Sequence, residues 1–264
     1  MIPKMMKAVV LAEPVRAEDV RLTEVPVPES RPGWVLIRVK AFGMNHSEQI
    51  LRNGEIRADY IRKPVVPGIE CVGEVADPSD SRFQKGQRVM AFMGGMGRSF
   101  DGSYAQYVLA PSHHVFAAES GLSWTELAAV LDTGSLKDSE EFLKTVKTVG
   151  TVTKALELVE PATLRDTLKC MARRGIVCST GILGGASVLS GFDPIKDIPN
   201  GVYLTGFHSN WPSQEEIDQI LEFLDRHSLK PHIGECYDFS KIREACLAQE
   251  SGIVNGKIVV KVSG

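Results

Sequence analysis

The chain has 264 residues, of which 43% are hydrophobic, so it holds enough apolar material for one large domain or two ordinary ones. It carries 30 Lys and Arg residues against 33 Asp and Glu residues, a formal net charge of -3, with both signs scattered along the chain. This balance argues against nucleic acid or an anionic membrane as a partner.

The spacing of the cysteines and the length of the apolar runs bear on the cellular compartment in which the protein is expected. The 5 cysteines are odd in number and widely spaced, which is not the pattern of a disulfide framework. The N-terminal apolar run is too short for a signal peptide, and no later run has the length of a membrane-spanning helix. We therefore expect reduced cysteines and a soluble, cytoplasmic protein.

Short apolar runs separated by Pro and Gly fill the first part of the chain, from about residue 7 to residue 117. Examples are "KAVVLAEP", "GWVLIRVKAFG", "CVGEVADP", "GQRVMAF" and "SYAQYVLAP". Runs of this length with Gly-rich turns predict a small, strongly bent all-β unit.

The pattern changes after residue 122, where helical stretches alternate with strand-like runs near residues 154–159, 175–181 and 201–207. Such alternation is typical of a parallel sheet wrapped by helices. Ser213 and Glu216 have the spacing of a capping box and begin an amphipathic helix. The last run, "GKIVVKV", predicts a strand that pairs back onto an earlier sheet.

Four motifs occur in a fixed order in the β-rich part: "GMNHSEQILRNG" (43–54), "PVVPGIECVGEV" (64–75), "FQKGQRVMAF" (83–92) and "GSYAQYVLAP" (102–111). Together they resemble the medium-chain dehydrogenase/reductase superfamily, and within it the zinc-free quinone oxidoreductase branch. The resemblance continues through "LELVEPATLRDTLKCMARRGIVCSTGILGG" to the C-terminus.

This resemblance implies the fold class α/β with a β-rich first part. A GroES-like β domain would comprise residues 1–130 and 232–264, because in this superfamily the chain returns to the first domain at its end. Residues 131–231 would form a truncated Rossmann-type parallel sheet.

Zinc is not expected, although the superfamily has zinc-dependent members. Where those members carry Cys and His, this chain has Asn45 and Ile69, and neither side chain supplies a thiolate or an imidazole. Glu70 alone would bind zinc poorly, and His46 beside a glycine turn is more often a hydrogen-bonded loop residue. We therefore predict no metal site.

Without zinc, a reductase must polarise its substrate carbonyl by hydrogen bonds or by stabilising the developing charge. The resemblance implies that Asn45 lies beside the nicotinamide of the cofactor and that Arg52 lies on a nearby segment, and we take both as catalytic candidates. The alternatives remain open: Asn45 could be a turn residue, and Arg52 a solvated charge on a helix.

A dinucleotide-binding chain needs the loop G-x-G-x-x-G between a strand and a helix, because its glycines let the backbone approach the pyrophosphate. This sequence contains no such loop; "GGMGRSF" has Phe100 in place of the third glycine and lies in the β-rich part. The segment after Val130 instead resembles the turn that follows the first half of a Rossmann domain. We therefore predict an internal deletion near residue 130 that removes the phosphate loop.

The resemblance implies NADPH as the cofactor. Because the phosphate loop is missing, we expect the binding of NADPH to be weak or absent. The resemblance gives Asn45 as one position for residual cofactor binding, and the others follow two late strands or lie in the final turn: Thr180, Gly181, Ile182, Phe207, His208, Ser209, Asn255 and Lys257.

Two hypotheses for function follow. The first is a zinc-independent, NADPH-linked oxidoreductase of quinones or α,β-unsaturated carbonyls, impaired by the loss of the phosphate loop, with a small-molecule substrate as its partner. The second is a non-catalytic deletion variant that folds and self-associates. In both cases we expect a homo-oligomer that contacts neither membrane nor nucleic acid.

Overall fold

The computed structural model describes residues 1–130, 150–159, 163–180, 188–207 and 212–263. The chain divides into two compact units, one made of Met1–Asp132 with Asn210–Gly264 and one made of Thr133–Ser209.

The strands, in chain order, are β1 Met5–Ala8, β2 Thr23–Pro26, β3 Trp34–Gly43, β4 Glu70–Asp77, β5 Arg88–Phe92, β6 Tyr107–Pro111, β7 Val115–Ala117, β8 Val152–Glu157, β9 Met171–Ser179, β10 Tyr203–Gly206, β11 Ile233–Asp238 and β12 Lys257–Lys261. The α-helices are α1 His46–Asn53, α2 Trp124–Val130, α3 Leu164–Cys170, α4 Pro194–Asp197, α5 Gln214–Arg226 and α6 Ile242–Ser251.

The first unit is built on a seven-stranded sheet in the order β11-β12-β3-β4-β5-β7, with β6 also paired to β3. Strand β3 is long enough to pair with β6 and β4 and, near its end, with β12. Shifts of register in the β3–β4 pairing bend the strands, as bulges do. The predicted bent β unit is therefore present, but it is not all-β, because helix α1 lies between β3 and β4.

The C-terminal strand is an internal member of this sheet. β12 lies between β11 and β3, antiparallel to β3, with Val260 opposite Phe42. Val259 and Val260 have no exposed surface, because one faces each side of the sheet and both sides are covered. The pairing predicted for "GKIVVKV" is confirmed.

Helix α5 begins with the predicted capping box: the Ser213 N–H donates to Glu216 Oε2 at 2.7 Å, and the Glu216 N–H donates to Ser213 Oγ at 3.2 Å. Ile217 and Leu221 pack with Met90 of β5 in one cluster of the first unit. The sequence division had assigned this helix to residues 131–231, whereas the contacts group it with the first unit.

Within the described residues, the second unit has three parallel strands in the order β10-β9-β8, at the three places that the sequence predicts. Leu164 and Leu168 of α3 pack with Val177 of β9 on one face of this sheet. Among the described strands β8 pairs with β9 alone, so its other side is an edge.

Two further observations concern the described part of the chain. None of its helices is both long and apolar enough to span a bilayer. Cys71, Cys178, Cys236 and Cys246 are present as thiols.

Candidate functional site

Helix α1 presents the "NHSE" segment at its N-terminus, where the main chain is held by the side chain of Glu48. The carboxylate accepts a hydrogen bond from the Asn45 N–H at 2.8 Å and another from the Ile69 N–H at 2.9 Å. Glu48 therefore joins the two sequence positions at which zinc-dependent relatives carry ligands. Its carboxylate is buried, and this desolvation raises its pKa, although the two backbone donors act in the opposite direction.

Glu48 was missed as a site residue in the sequence analysis. The signal was present, because Asn45 followed three residues later by Glu48 has the N-x-x-E spacing of a capping box. In the structure the Glu48 side chain accepts the hydrogen bond from the Asn45 main-chain N–H, which is one of the two contacts of a capping box.

A buried ammonium group lies beside Asn45. Lys257 Nζ, from the first residue of β12, donates to Asn45 Oδ1 at 2.7 Å and lies 3.2 Å from Glu70 Oε1. The side chains of Lys257 and Glu70 are only 3% and 4% exposed. This cluster, Asn45–Lys257–Glu70, is the polar centre of the candidate site.

The polar centre is arranged around a glycine at position 43. A Cβ atom placed there would collide with Lys257 Cε and Glu70 Oε1, so any other residue would force these two side chains out of their present positions. Gly43 is the last residue of β3, and it lies opposite Val259 of the neighbouring strand β12. Strand pairing therefore brings the lysine to helix α1 and the glycine makes room for it.

The contact with Lys257 fixes the orientation of the Asn45 amide. An ammonium group can only donate hydrogen bonds, so the atom that it contacts must be the amide oxygen. Asn45 Nδ2 is consequently directed elsewhere, and it is buried without an acceptor among the described residues. The site thus contains an oriented, unused hydrogen-bond donor.

The other catalytic candidate, Arg52, has a different environment. Its guanidinium group is buried, and it donates to the main-chain oxygen of Val15 at 2.6 Å and to the carboxylate of Glu250. These contacts tie α1 to α6. The interpretation as a solvated charge disagrees with this burial, whereas a catalytic role for Arg52 stays a prediction.

The candidate cofactor positions in the second unit are only partly described. Thr180 and Phe207 directly follow the carboxyl ends of the parallel strands β9 and β10. The Thr180 N–H donates to the main-chain oxygen of Glu157 at 3.0 Å, and the Phe207 N–H donates to the main-chain oxygen of Ser179 at 2.9 Å. The Phe207 side chain is 62% exposed. Gly181, Ile182, His208 and Ser209 lie outside the described residues.

Asn255 lies in the turn before β12, where its main-chain oxygen is 3.0 Å from His232 Nε2. It is exposed, and its role as a cofactor residue stays a prediction.

Comparison with known families resolves the ancestry. The model of the alcohol dehydrogenase GroES-like domain matches residues 31–120, and the model of the zinc-binding dehydrogenases matches residues 128–260. The chain belongs to the medium-chain dehydrogenase/reductase superfamily. Its relatives place it in the quinone oxidoreductase-like branch, and the predicted fold class, a GroES-like β domain followed by a Rossmann-like sheet, is confirmed.

Individual relatives match about half of the chain. It is 36% identical to the mouse (Mus musculus) synaptic vesicle membrane protein VAT-1 homolog-like over 126 residues, which is 47% of this chain and 28% of that protein. It is 33% identical to the human (Homo sapiens) quinone oxidoreductase over 133 residues, 48% of this chain and 38% of the relative. The chain therefore spans less than half the length of the curated relatives that it matches.

A solved structure extends the likeness in fold to the whole chain. The quinone oxidoreductase from Coxiella burnetii superimposes with a TM-score of 0.73 at 19% identity, covering 98% of this chain and 100% of the other.

The residues present do not fit zinc, in spite of the family to which the chain belongs. Position 45 supplies an amide, position 69 an alkyl side chain, and the ammonium of Lys257 already provides a positive charge against Glu70. Within the described ranges no group of three or more His, Cys, Asp or Glu residues could hold a metal ion.

We expect metal analysis of the purified protein to find no stoichiometric zinc, because the side chains of Asn45 and Ile69 offer neither thiolate nor imidazole. The measurement is elemental analysis after dialysis against a chelator, with a zinc-dependent alcohol dehydrogenase carried through the same dialysis as the control. One zinc per chain that survives this treatment would contradict the assignment.

Proposed function

We propose that the chain is a zinc-independent, NADPH-linked oxidoreductase that reduces quinones or α,β-unsaturated carbonyls, with its turnover limited by the lost phosphate loop. The observation that carries this proposal is the oriented donor Asn45 Nδ2, which is buried and lacks an acceptor among the described residues. The relationship to quinone oxidoreductases supports the choice of reaction.

The polar centre suits the reacting end of such a reaction. As the carbonyl compound is reduced, negative charge develops on its oxygen, and a fixed donor in a water-poor site stabilises that charge. Asn45 Nδ2 would donate to this oxygen, while Lys257 holds the amide in place at 2.7 Å and adds a positive charge nearby. Glu48 keeps the main chain of Asn45 in position.

NADPH, when bound, supplies the hydride. The residues fit the reacting end of that cofactor, since an unused amide donor is present, but the sequence offers no glycine-rich loop for the pyrophosphate. Quinones and enones are the acceptors that match this site, because they accept a hydride without a strong Lewis acid. The substrate would be a small molecule, and the proposal places the protein in the cytoplasm.

The experiment that tests the proposal replaces Asn45 with Asp. The variant keeps an oxygen for Lys257 but loses the donor, so we expect kcat to fall by about 100-fold to 1000-fold, as for the loss of one oxyanion-hole donor. Turnover is measured at millimolar NADPH with an enone in the presence of a chelator. Asn53→Asp, at the exposed end of the same helix, is the matched control.

Because a second carboxylate near Glu48 and Glu70 could perturb folding, Asn45→Leu provides an uncharged variant that also lacks the donor. Equal turnover of the wild type, Asn45→Asp and Asn45→Leu would show that the amide takes no part in the reaction.

One observation favours the second candidate, a non-catalytic deletion variant that folds and self-associates. Strand β8 is an edge among the described strands, and its Leu156 side chain is 58% exposed. Internal strands of a parallel sheet are apolar and paired on both sides, so such an edge can pair with another chain. We therefore propose a homo-oligomer in which β8 forms a contact.

We expect Leu156→Lys to lower the oligomeric mass measured by light scattering, because a lysine on an edge strand opposes pairing between chains. The control is Ile195→Lys, which changes a residue of the same unit that is 91% exposed. This variant should leave the oligomeric mass unchanged. A wild-type chain that is already a monomer would contradict self-association through β8.

A further inference from the structure

A small cavity is lined in part by Glu48 and Arg52, two buried residues of helix α1. Its volume is about 10 Å³, and its polar lining consists of Glu48, Arg52, Tyr104, Cys246 and Gln249. A space of this size is at the lower limit of what one water molecule requires, and a buried water needs two to four polar partners. The cavity satisfies both conditions.

The hydroxyl of Tyr104 is the observation that points to a bound molecule. The residue is only 3% exposed, and its Oη atom is buried without a hydrogen-bond partner among the described residues. The ring is stacked on Phe42, with centroids 4.5 Å apart and planes 22° apart, which restrains the position of the phenol oxygen. A buried hydroxyl without a partner is costly, and native proteins satisfy most such groups with protein or ordered water.

We infer that this cavity holds one ordered water, which accepts a hydrogen bond from the Tyr104 hydroxyl and donates one to the Glu48 carboxylate. Glu48 has the capacity for this bond, since each of its oxygens accepts one backbone N–H and retains a further lone pair. Burial raises the pKa of Tyr104 well above its usual value, in keeping with a phenol that retains its proton and donates it.

The other polar groups of the lining provide further contacts without competing for the same role. The Cys246 thiol has its pKa raised to about 12, mainly by burial, and is a weak donor at neutral pH. Gln249 uses its Nε2 atom to donate to the Asn45 main-chain oxygen at 2.8 Å, so its other amide atom is an acceptor. The water thereby links Tyr104 of the "GSYAQY" motif to the carboxylate that positions Asn45.

Two substitutions test whether the cavity is filled. Tyr104→Phe removes the hydroxyl, and Val20→Ile adds a methyl group to a side chain of the lining that is 4% exposed. With the water present, each variant breaks its hydrogen bonds, and we expect each to lower Tm by about 2 to 4 °C, the shift expected for one such interaction in a chain of this size. In an empty cavity, Tyr104→Phe would raise Tm, because it removes a buried hydroxyl that has no partner.

The double variant sharpens the test. Once Val20→Ile has displaced the water, the Tyr104 hydroxyl has no partner, so adding Tyr104→Phe should then raise Tm instead of lowering it. Tyr107→Phe, at a tyrosine outside the cavity, serves as the control and should combine additively with Val20→Ile.

Water itself is measured by oxygen-17 magnetic relaxation dispersion on the intact chain. We expect one fewer long-lived internal water in Val20→Ile than in the wild type. An equal number in both proteins, or a rise in Tm for Tyr104→Phe, would overturn the inference. The result is independent of turnover, so it does not depend on the proposed function.

Discussion

Replacing Lys257 with Met should lower the free energy of unfolding by about 3 to 5 kcal/mol, the cost of breaking a buried ion pair from one side. The substitution removes the ammonium that lies 2.7 Å from Asn45 Oδ1 and 3.2 Å from Glu70 Oε1, and leaves a carboxylate that is 4% exposed without this cation. Urea unfolding followed by tryptophan fluorescence measures the change.

Two further variants identify the cause of that loss. Adding Glu70→Gln removes the negative charge that lost this cation, so the double variant should recover more than half of the stability, because a neutral buried group costs less than a buried charge. Lys261→Met replaces an exposed lysine of the same strand and should stay within about 0.5 kcal/mol of the wild type. A Lys257→Met variant as stable as Lys261→Met would show that the ion pair is not buried in solution.

The second large effect concerns NADPH, whose affinity we expect to be in the millimolar range. A glycine-rich loop gives the pyrophosphate several charge-assisted hydrogen bonds of roughly 1.5 to 3 kcal/mol each. Losing two of them costs about 3 to 6 kcal/mol, or about two to four decades in the dissociation constant. Isothermal titration of the full chain with NADPH provides the measurement.

Reduced nicotinamide mononucleotide is a suitable control ligand, because it lacks the adenosine half and the pyrophosphate bridge. If the phosphate site is lost, this smaller molecule should bind about as tightly as NADPH. An NADPH dissociation constant below about 10 μM would contradict the prediction and would require another source of phosphate contacts, such as a second subunit.

Local sequence patterns predicted the elements well, for physical reasons. The capping box of Ser213 and Glu216 is a contact between residues three apart, and the structure contains it. The three parallel strands of the second unit were found from alternation of apolar runs with helical stretches. The positions 45 and 69 were identified from motif order, and the structure brings their main chains to one carboxylate.

The polar centre itself was only partly predictable. Lys257 and Asn45 are 212 residues apart, and their contact depends on the register of β12 against β3 and on the space beside Gly43. Arg52 was interpreted as either reactive or solvated, and its burial follows from two partners far away in the sequence, Val15 and Glu250. No local pattern encodes such contacts, since they form when distant segments pack together.

The most direct test of the proposed function is transfer of deuterium from NADPH labelled at C4 of the nicotinamide to an α,β-unsaturated ketone. The full chain is incubated with millimolar labelled NADPH, prepared separately in its two C4 epimers, and a chelator, and the product is analysed by mass spectrometry. We predict one deuterium on the β-carbon of the product with one of the two epimers. In Asn45→Asp the transfer should be at least 100-fold slower, which is about the effect of losing one hydrogen-bond donor to the developing charge. A folded wild-type chain that transfers no deuterium from either epimer would contradict the proposed reductase activity.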